Sequence, residues 1–461
     1  MRYVFFAFEC YPLPIAYHLA QEGRDVTVGI VRRLEKLGLK DEEPETAQER
    51  STRLILYDGL LKKRSSESVM EMLRRVPRAA RDDYFIFFDF NSMYNLAEEV
   101  IAMGFKHGLL PTEWYYKMEK ERPMAKKFVK DNYPEIKVAD SHGFARAQEG
   151  IKFLNETEGV YVLKSNGNHG KTLVPKTDDP QKAKKLLVEA LTENRKDYEL
   201  GGFLLEEKIP NCLEVTPVMV FYDGKPVYTL VEFESKELGA GNIGLQKGGN
   251  LALSVKTPLN CALNRMAFPK AVYDLAKKQP GLSIYDMGLL WNGKDFYFTE
   301  FCAMRYGWDG IFSEMVMADE GKPFVGNYFE DIMAGRNPLS NTFGVSVRLF
   351  NFGGHMEGMD KSEDDVVLEW PTESDNNLFV YRMKKLENKK VTVGGLDLMG
   401  VATGASNVLE TAVGKAYAIV DSVDYDTKYF RPKFDFLSVE YKSSILNRYN
   451  AMKKFIEEEK K

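Results

Sequence analysis

The feature that most constrains this chain is a pair of strand-like segments at residues 285–301, YDMGLLWNGKDFYFTEF. Both segments are rich in aromatic and aliphatic residues, and the Asn292-Gly293 pair between them is typical of a tight β-turn. An antiparallel hairpin with this turn brings Asp286 close to Glu300 across the two strands. Two neighbouring carboxylates repel each other unless a cation lies between them, and Mg²⁺ that also binds phosphate oxygens is the natural candidate. The alternative is an acidic pair on a solvated surface.

The rest of the chain divides into three parts with different sequence patterns. At the N-terminus RYVFFAF, DVTVGIV and DYFIFFDF predict strands separated by helices, which is typical of a parallel α/β layer. In the middle, EVTPVMVFYDGKPVYTLVEFES predicts a second hairpin that turns at Asp223-Gly224. In the final third, VSVRLFNF, NLFVYRMKKL and VTVGGLDLMGVATG predict strands, NVLETAVGKAYAIVDSV predicts an amphipathic helix, and the tail from Ser443 predicts a charged surface helix.

Length and composition exclude several classes of protein. The chain has 461 residues, more than one ordinary domain, and a formal net charge of −5, which argues against a general nucleic-acid binder. None of the four cysteines forms a CxxC pair, so a zinc cluster or a disulfide framework has no support and a reducing, cytoplasmic location fits best. The apolar N-terminus lacks the features of a signal peptide, and no apolar run is long enough to suggest a membrane span.

Residues 162–172, VLKSNGNHGKT, contain a possible phosphate site. Lys164 stands on a predicted strand, and Gly167, Gly170 and Lys171 follow in a loop. Glycines let a backbone approach phosphate oxygens closely, and lysines supply positive charge. The spacing is not that of a Walker A loop. A solvated β-turn is the alternative interpretation of this segment.

Residues 203–215, FLLEEKIPNCLEV, form a predicted strand that ends in carboxylates. A strand edge of this kind offers backbone and carboxylate groups to an adenine amine and to ribose hydroxyls. An ordinary strand that runs into a polar loop has the same sequence pattern. This segment therefore indicates a nucleotide site only in combination with the other two motifs.

The three segments occur in an order that resembles the ATP-grasp superfamily: a lysine and glycine loop, a Glu-Glu segment, and an Asp…Glu hairpin. ERPMAKKFVKDNYPEIKVAD, TEFCAMRYGWD and the stretch from MGVATG to RPKFDF are each similar to segments of phosphoribosylamine–glycine ligases, in the same order along nearly the whole chain. The resemblance implies an N-terminal parallel α/β domain at 1–112, a two-lobed ATP-grasp domain at 113–338 with a lid at about 150–213, and a small α+β domain with a terminal helix at 339–461.

The resemblance also implies roles for individual residues. ATP phosphates would be held by Arg122, Lys126, Lys164, Gly167, Gly170 and Lys171, the adenine by Glu206, Glu207 and Ile209, and the ribose by Glu214. Asp286 and Glu300 would bind Mg²⁺ or Mn²⁺. Catalysis would depend on Arg305 and Lys171, and the substrates would meet Lys236, Asn242, Lys247 and Arg305.

The chain departs from these ligases at three places. Cys302 stands where they carry an asparagine near the metal, and thiol sulfur is a poor ligand for magnesium. Their substrate loop is replaced by FESKELGAGNIGLQKGGN at residues 233–250, which we expect to remain a substrate loop with altered chemistry. After the first strand, ECYPLP stands in place of a glycine-rich phosphate signature.

The expected activity is therefore ATP-dependent ligation of a carboxylate to an amine through an acyl phosphate. Phosphoribosylamine and glycine are the leading pair by resemblance, and another amino acid joined to a different amine is the second choice. A non-catalytic ATP-binding homologue is the alternative from another class, and Cys302 is its main support. We expect small-molecule partners, no nucleic acid, no membrane, and a monomer or homodimer.

Overall fold

The computed structural model describes residues 1–31, 47–166, 172–302, 308–318, 325–352, 364–395, 397–441 and 443–457. The fold is a multidomain mixture of α and β structure. A mixed sheet of 15 strands crosses the molecule, and smaller sheets of three and two strands accompany it. Among the described residues, no helix is both long enough and apolar enough to cross a membrane.

The N-terminal part is a layer of parallel strands with helices between them. Its strands are β1 (Arg2–Ala7), β2 (Asp25–Ile30), β3 (Lys63–Ser65), β4 (Tyr84–Phe88) and β5 (Gly108–Leu109), and its helices are α1 (Leu13–Gln21), α2 (Ala47–Ile55), α3 (Ser66–Arg74) and α4 (Tyr94–Ala102). The strands run in the order β3-β2-β1-β4-β5, all parallel. After the exposed Arg2, β1 is apolar and buried, as is all of β4, which is expected of strands covered on both faces. Their register stacks Phe5 on Phe87 with ring centroids 4.4 Å apart. The predicted parallel layer is confirmed.

Two helices and a short strand lead from this layer to a smaller sheet. They are α5 (Glu113–Lys120), α6 (Arg122–Asn132) and β6 (Ile136–Val138). The smaller sheet has the order β7-β9-β8 and is built from β7 (Ser141–Phe144), α7 (Ala147–Glu156), β8 (Tyr161–Ser165), α8 (Pro180–Glu193), α9 (Arg195–Gly201) and β9 (Phe203–Glu207). Leu154, Leu163, Leu187 and Phe203 belong to a core that is separate from that of the large sheet. The predicted lid, residues 150–213, overlaps this unit, and its role as a lid remains a prediction.

The centre of the large sheet consists of antiparallel hairpins. Its elements are β10 (Leu213–Tyr222), β11 (Lys225–Gly239), β12 (Ile243–Thr257), α10 (Ala262–Ala267), α11 (Lys270–Ala276), β13 (Leu282–Trp291), β14 (Phe296–Phe301), α12 (Trp308–Ala318) and α13 (Val325–Met333). Both predicted hairpins are present: β10 pairs with β11 across Asp223-Gly224, and β13 pairs with β14 across Asn292-Gly293. Asp223 and Gly224 have positive φ angles of 45° and 75°, which a two-residue turn of this kind requires.

The C-terminal part adds further strands to the same sheet. Its elements are β15 (Phe343–Asn351), β16 (Leu378–Val380), β17 (Met383–Leu386), β18 (Lys389–Thr392), β19 (Leu398–Ser406), α14 (Leu409–Ser422), β20 (Lys428–Tyr429), α15 (Phe434–Leu437) and α16 (Ile445–Ile456). β15 joins β12 to β19, and β13 meets β5 at the other side of the central hairpins. Because strand pairing runs through all three parts, the limits of the three domains remain a prediction.

Two expectations about local structure are wrong. Residues 233–250 are not a loop but the extended ends of β11 and β12, which turn tightly at Gly241-Asn242. Arg431 Nη1 donates to the carbonyl of Glu237 at 3.0 Å, so the C-terminal part holds these strands in place. The tail helix α16 is not merely a surface helix, because Tyr449 and Met452 are buried along one of its faces.

Candidate functional site

The β13–β14 hairpin places two carboxylates on one face of the sheet. Gly288 lies directly opposite Glu300, so Asp286, two residues away, points to the same face as Glu300. Asp286 is only 3% exposed, whereas the Glu300 side chain is 46% exposed. Burial raises the pKa of Asp286 well above its ordinary value, and the nearby carboxylates of Glu234 and Glu300 raise it further. Around Asp286 the negative charges therefore outweigh the positive ones, which favours the binding of a cation.

Gly288 leaves room for the Thr299 side chain beside the hairpin. A Cβ atom at this position would lie 2.4 Å from Oγ1 of Thr299 and 3.7 Å from Cγ of Glu300. A side chain here would force the Thr299 hydroxyl to move, whereas its distance to Glu300 Cγ is that of an ordinary van der Waals contact. The packing of Thr299 against β13 thus depends on this glycine.

Two further acids on the same sheet were not predicted as site residues. Glu232 and Glu234 lie on β11, and the pKa of Glu232 is raised well above its ordinary value by burial and then by Glu234 and Asp286. The sequence pattern around these two acids indicates that they share one face of a strand. In VEFES, acids alternate with apolar residues at the period of a strand, which places both carboxylates on one face of an otherwise buried element.

Positive side chains from the helix α6 and the smaller sheet face this acidic surface. Arg122, the first residue of α6, places Nη1 3.2 Å from Oε2 of Glu300, and its Nε donates to the carbonyl of Ser165 at 3.2 Å. One turn later on α6, Lys126 pairs with Glu206 and donates to the carbonyl of Ala139 at 3.3 Å. Arg122 thereby connects the central hairpin to the end of β8, which carries Lys164.

Glu206 holds the two lysines together. Its Oε1 accepts from Lys164 Nζ at 2.7 Å, while its Oε2 meets Lys126. All three side chains are buried, and burial lowers the pKa of Lys126, although the carboxylate of Glu206 raises it in part. The Glu206 carboxylate is thus bound to the two lysines, and the Glu206 backbone lies in the central strand of the smaller sheet, paired with both β7 and β8. Its contact with an adenine remains a prediction. Glu207 is exposed at the end of β9, and the Ile209 carbonyl accepts from the Cys212 thiol at 3.3 Å.

The residues predicted to meet the ribose and the substrates are arranged differently. Lys236 Nζ lies 2.6 Å from Oε1 of Glu214, so these two candidates neutralise each other. Asn242 lies at the tip of the β11–β12 hairpin, where its side chain accepts from Arg431 at 2.9 Å. The structure therefore brings Lys236 to the acidic face but does not bring Asn242 there.

Several predicted site residues cannot be located. Gly167, Gly170, Lys171 and Arg305 lie outside the described residues, as does the side chain of Lys247. Their proposed roles remain predictions.

The donor set fits a hard cation bound by few protein ligands. Asp286 and Glu300 supply carboxylate oxygens, the ligand type that Mg²⁺ prefers, with the remaining positions left to phosphate oxygens and water. Burial, with Asp286 and Glu300 nearby, raises the pKa of the Cys302 thiol well above its ordinary value, so Cys302 stays neutral and does not contribute a thiolate. Within the described ranges no three His, Cys, Asp or Glu side chains are grouped as a complete metal site.

The fold is that of ATP-grasp enzymes. A phosphoribosylamine–glycine ligase from Thermotoga maritima is 18% identical, with a TM-score of 0.64, and the match covers 94% of this chain and 99% of that one. Biotin carboxylase from Campylobacter jejuni is 12% identical with a TM-score of 0.57, covering 93% of each chain. N5-carboxyaminoimidazole ribonucleotide synthetase, in complex with ADP, is 14% identical with a TM-score of 0.52, covering 91% of this chain and 96% of that one.

The similarity is structural only. No protein-family model and no curated protein sequence matches the chain. At these identities the solved structures establish the ATP-grasp, phosphoribosylamine–glycine ligase-like fold, and they leave the reaction of this chain to be argued from its own residues.

Proposed function

We propose that this protein is an ATP-dependent ligase that joins a carboxylate to an amine. The observation that carries the proposal is the arrangement of Arg122, Lys126 and Lys164 opposite the Asp286–Glu300 hairpin. Cations on one side and paired carboxylates on the other are what a metal-bound polyphosphate needs. The shared fold with enzymes crystallised with ADP and magnesium supports the same interpretation.

The proposed reaction has two steps. A substrate carboxylate attacks the γ-phosphorus of ATP, the bond to the β-phosphate oxygen breaks, and an acyl phosphate and ADP result. A neutral amine then attacks the acyl carbon, inorganic phosphate leaves, and the amine loses a proton as the amide forms.

The residues of this chain would act mainly by binding and charge compensation. Arg122, Lys126 and Lys164 would bind phosphate oxygens and stabilise the charge that develops during transfer. Glu206 would keep the two lysine side chains in place. Asp286 and Glu300 would hold Mg²⁺ or Mn²⁺, which supplies further charge compensation when bound. The lid unit would exclude water that otherwise hydrolyses the acyl phosphate.

Three features bear on the substrates and on turnover. The overall similarity to a phosphoribosylamine–glycine ligase favours phosphoribosylamine and glycine. The different segment at 233–250 favours another amine or amino acid, because its Lys236 is paired with Glu214. Cys302 in place of an amide ligand favours the non-catalytic alternative, an ATP-binding protein without turnover.

A screen of amino acids against amines, with phosphate and ADP release as the readout, tests the proposal. It should begin with glycine and phosphoribosylamine. We expect at least one pair to stimulate ADP release above the rate with ATP alone. If no pair does so while ATP still binds, the non-catalytic alternative is correct.

A further inference from the structure

The N-terminal layer has a topological switch point, here called the crevice, at the position where open α/β sheets bind their ligands. In the order β3-β2-β1-β4-β5, the chain turns to opposite sides of the sheet after β1 and after β4. The carboxyl ends of these neighbouring strands therefore form the topological switch point, where open parallel sheets bind their ligands. In this chain the crevice is bounded by the residues that follow Ala7 and Phe88.

The backbone amides of this crevice are already occupied by a side chain of the protein. Oδ2 of Asp89 accepts hydrogen bonds from the amides of Phe8 and Cys10, both at 2.8 Å. Asp89 is 0% exposed, so water does not compete for these bonds. Amides in a loop after a strand are the groups that bind a phosphate in other α/β proteins. Here a fixed carboxylate stands where a phosphate oxygen would be.

The cations near Cys10, whose amide donates to Asp89, are also engaged. Arg53 Nη1 donates to the carbonyl of Phe8 at 3.2 Å and its guanidinium stacks on the Phe8 ring. Arg382 Nε donates to the carbonyl of Val393 at 3.0 Å. Lys63 Nζ donates to two carbonyls of the α2 region, each at 2.6 Å. A phosphate entering the crevice would have to displace these partners and would meet the negative charge of Asp89.

A hydrogen bond connects the crevice to the candidate ligase site. Asn91, just after β4, donates from Nδ2 to Oε2 of Glu119 at 2.6 Å. Glu119 lines a narrow cavity together with Arg122 and Glu300. An amine that approaches an acyl phosphate beside Glu300 would therefore have the switch-point crevice as its neighbouring space.

We propose that the amine substrate carries no phosphate group, and that Asp89 is the specificity-determining residue that excludes phosphorylated amines from the crevice. This inference rests on the proposed ligase function and narrows it, because it favours an amine other than phosphoribosylamine. The Asp89 carboxylate rejects a phosphate by charge and by holding the amides that the phosphate would need.

The test uses the full-length protein with Mg²⁺ and a non-hydrolysable ATP analogue bound, so that the nucleotide site is filled. Inorganic phosphate, ethanolamine and phosphoethanolamine are then titrated, and the amide signals of Phe8 and Cys10 are followed by NMR. We expect no response of these two signals to phosphate or phosphoethanolamine in the wild type. A saturable shift of either signal with a phosphorylated probe would overturn the proposal.

Two variants make the test sharper. Asp89→Ala frees both amides and should bind phosphate at least roughly tenfold more tightly than the wild type. A hydrogen bond to a charged group contributes enough binding free energy for a change of this size. Asp89→Asn removes the charge but retains an oxygen that accepts from both amides, so its affinity for phosphate should rise less than that of Asp89→Ala. A folded Asp89→Ala variant that binds phosphate no more tightly than the wild type contradicts the proposal. If that variant does not fold, the titration of the wild type decides the question.

The outcome is independent of turnover. If ADP release is absent with every amine, the ligase function fails, but the two amide signals still report whether phosphate enters. If ADP release occurs and phosphoethanolamine or phosphoribosylamine supports it better than its unphosphorylated counterpart, the exclusion by Asp89 is wrong while the ligase function stands.

Discussion

Arg122 binds Glu300: Nη1 of the arginine lies 3.2 Å from Oε2 of the carboxylate, joining the first turn of α6 to the last residues of β14. The Glu300 side chain is half-exposed, yet the protein around it raises its pKa by desolvation; the positive charges of Arg122, Lys236 and Lys164 outweigh this effect and lower the pKa below its ordinary value. Glu300 is therefore ionised and available to a cation at neutral pH. When a metal-bound nucleotide enters, Arg122 can transfer from the carboxylate to a phosphate, since both are anionic partners for its guanidinium.

Lys164→Ala should weaken the binding of ATP. The substitution removes a buried ammonium that Glu206 holds 2.7 Å from its Oε1, and with it a charge-assisted contact to phosphate. We expect the dissociation constant for a non-hydrolysable ATP analogue to rise roughly tenfold to a hundredfold, measured by calorimetry. Lys185→Ala on the exposed side of α8 is the matched control and should leave the affinity unchanged. Equal affinity in Lys164→Ala and the wild type would remove Lys164 from the nucleotide site.

Gly288→Ala should lower stability. Because the new Cβ would lie 2.4 Å from Thr299 Oγ1, the Thr299 side chain must leave its place or the strand must shift, at a cost of about 1–3 kcal/mol in the free energy of unfolding. Gly414→Ala is the control: its Cβ would have nothing within 4 Å, and in the middle of α14 an alanine should stabilise by about 0.5–1 kcal/mol. Urea denaturation measures both. If Gly288→Ala unfolds at the same urea concentration as the wild type, the Thr299 side chain moves aside without a cost in stability and Gly288 is not required.

His18 should make stability depend on pH. Burial lowers its pKa to about 4, while the imidazole of an unfolded chain titrates near its ordinary value of 6.5. Between these values the unfolded state binds more protons, so stability is full above pH 6.5 and falls as the pH drops towards 4, by about 3 kcal/mol in total.

His18→Gln should flatten this part of the stability curve, measured by denaturation at several pH values. His142→Gln, at an exposed position on β7, should leave the curve as it is in the wild type. A wild-type curve of the same slope as that of His18→Gln between pH 4 and 6.5 would contradict the assignment.

The sequence was most informative where local rules decide the structure. The Asn292-Gly293 and Asp223-Gly224 turns fix two hairpins, and the first of these determines that Asp286 and Glu300 share a face. The continuous apolar runs of β1 and β4 likewise predict buried parallel strands. In each case a few neighbouring residues are enough to specify the local conformation.

The pairing of charges could not be predicted, because it depends on the approach of distant elements. Glu206 was assigned to the adenine, but its carboxylate lies between Lys126 and Lys164, which come from a helix and from another strand. Similarly, the pairing of Lys236 with Glu214 follows from the β10–β11 register and from a side-chain direction that spacing does not reveal. Sequence spacing identified these residues as chemically relevant without showing which of them would neutralise one another.

A comparison of two glutamate variants tests most directly whether Asp286 and Glu300 hold the metal of a bound ATP. Once a productive pair of substrates is known, ADP release is measured in the wild type, in Glu300→Gln and in Glu330→Gln. Glu330 is a matched control, because it is also a partly exposed partner of an arginine, Arg24 at 2.7 Å, on the remote helix α13.

We expect Glu300→Gln to lower the rate of ADP release by about a hundredfold or more, since it removes charge compensation at the reacting phosphates. Glu330→Gln should keep the wild-type rate. If Glu300→Gln releases ADP as fast as the wild type does, the metal is not bound at this hairpin and the proposed metal site is wrong.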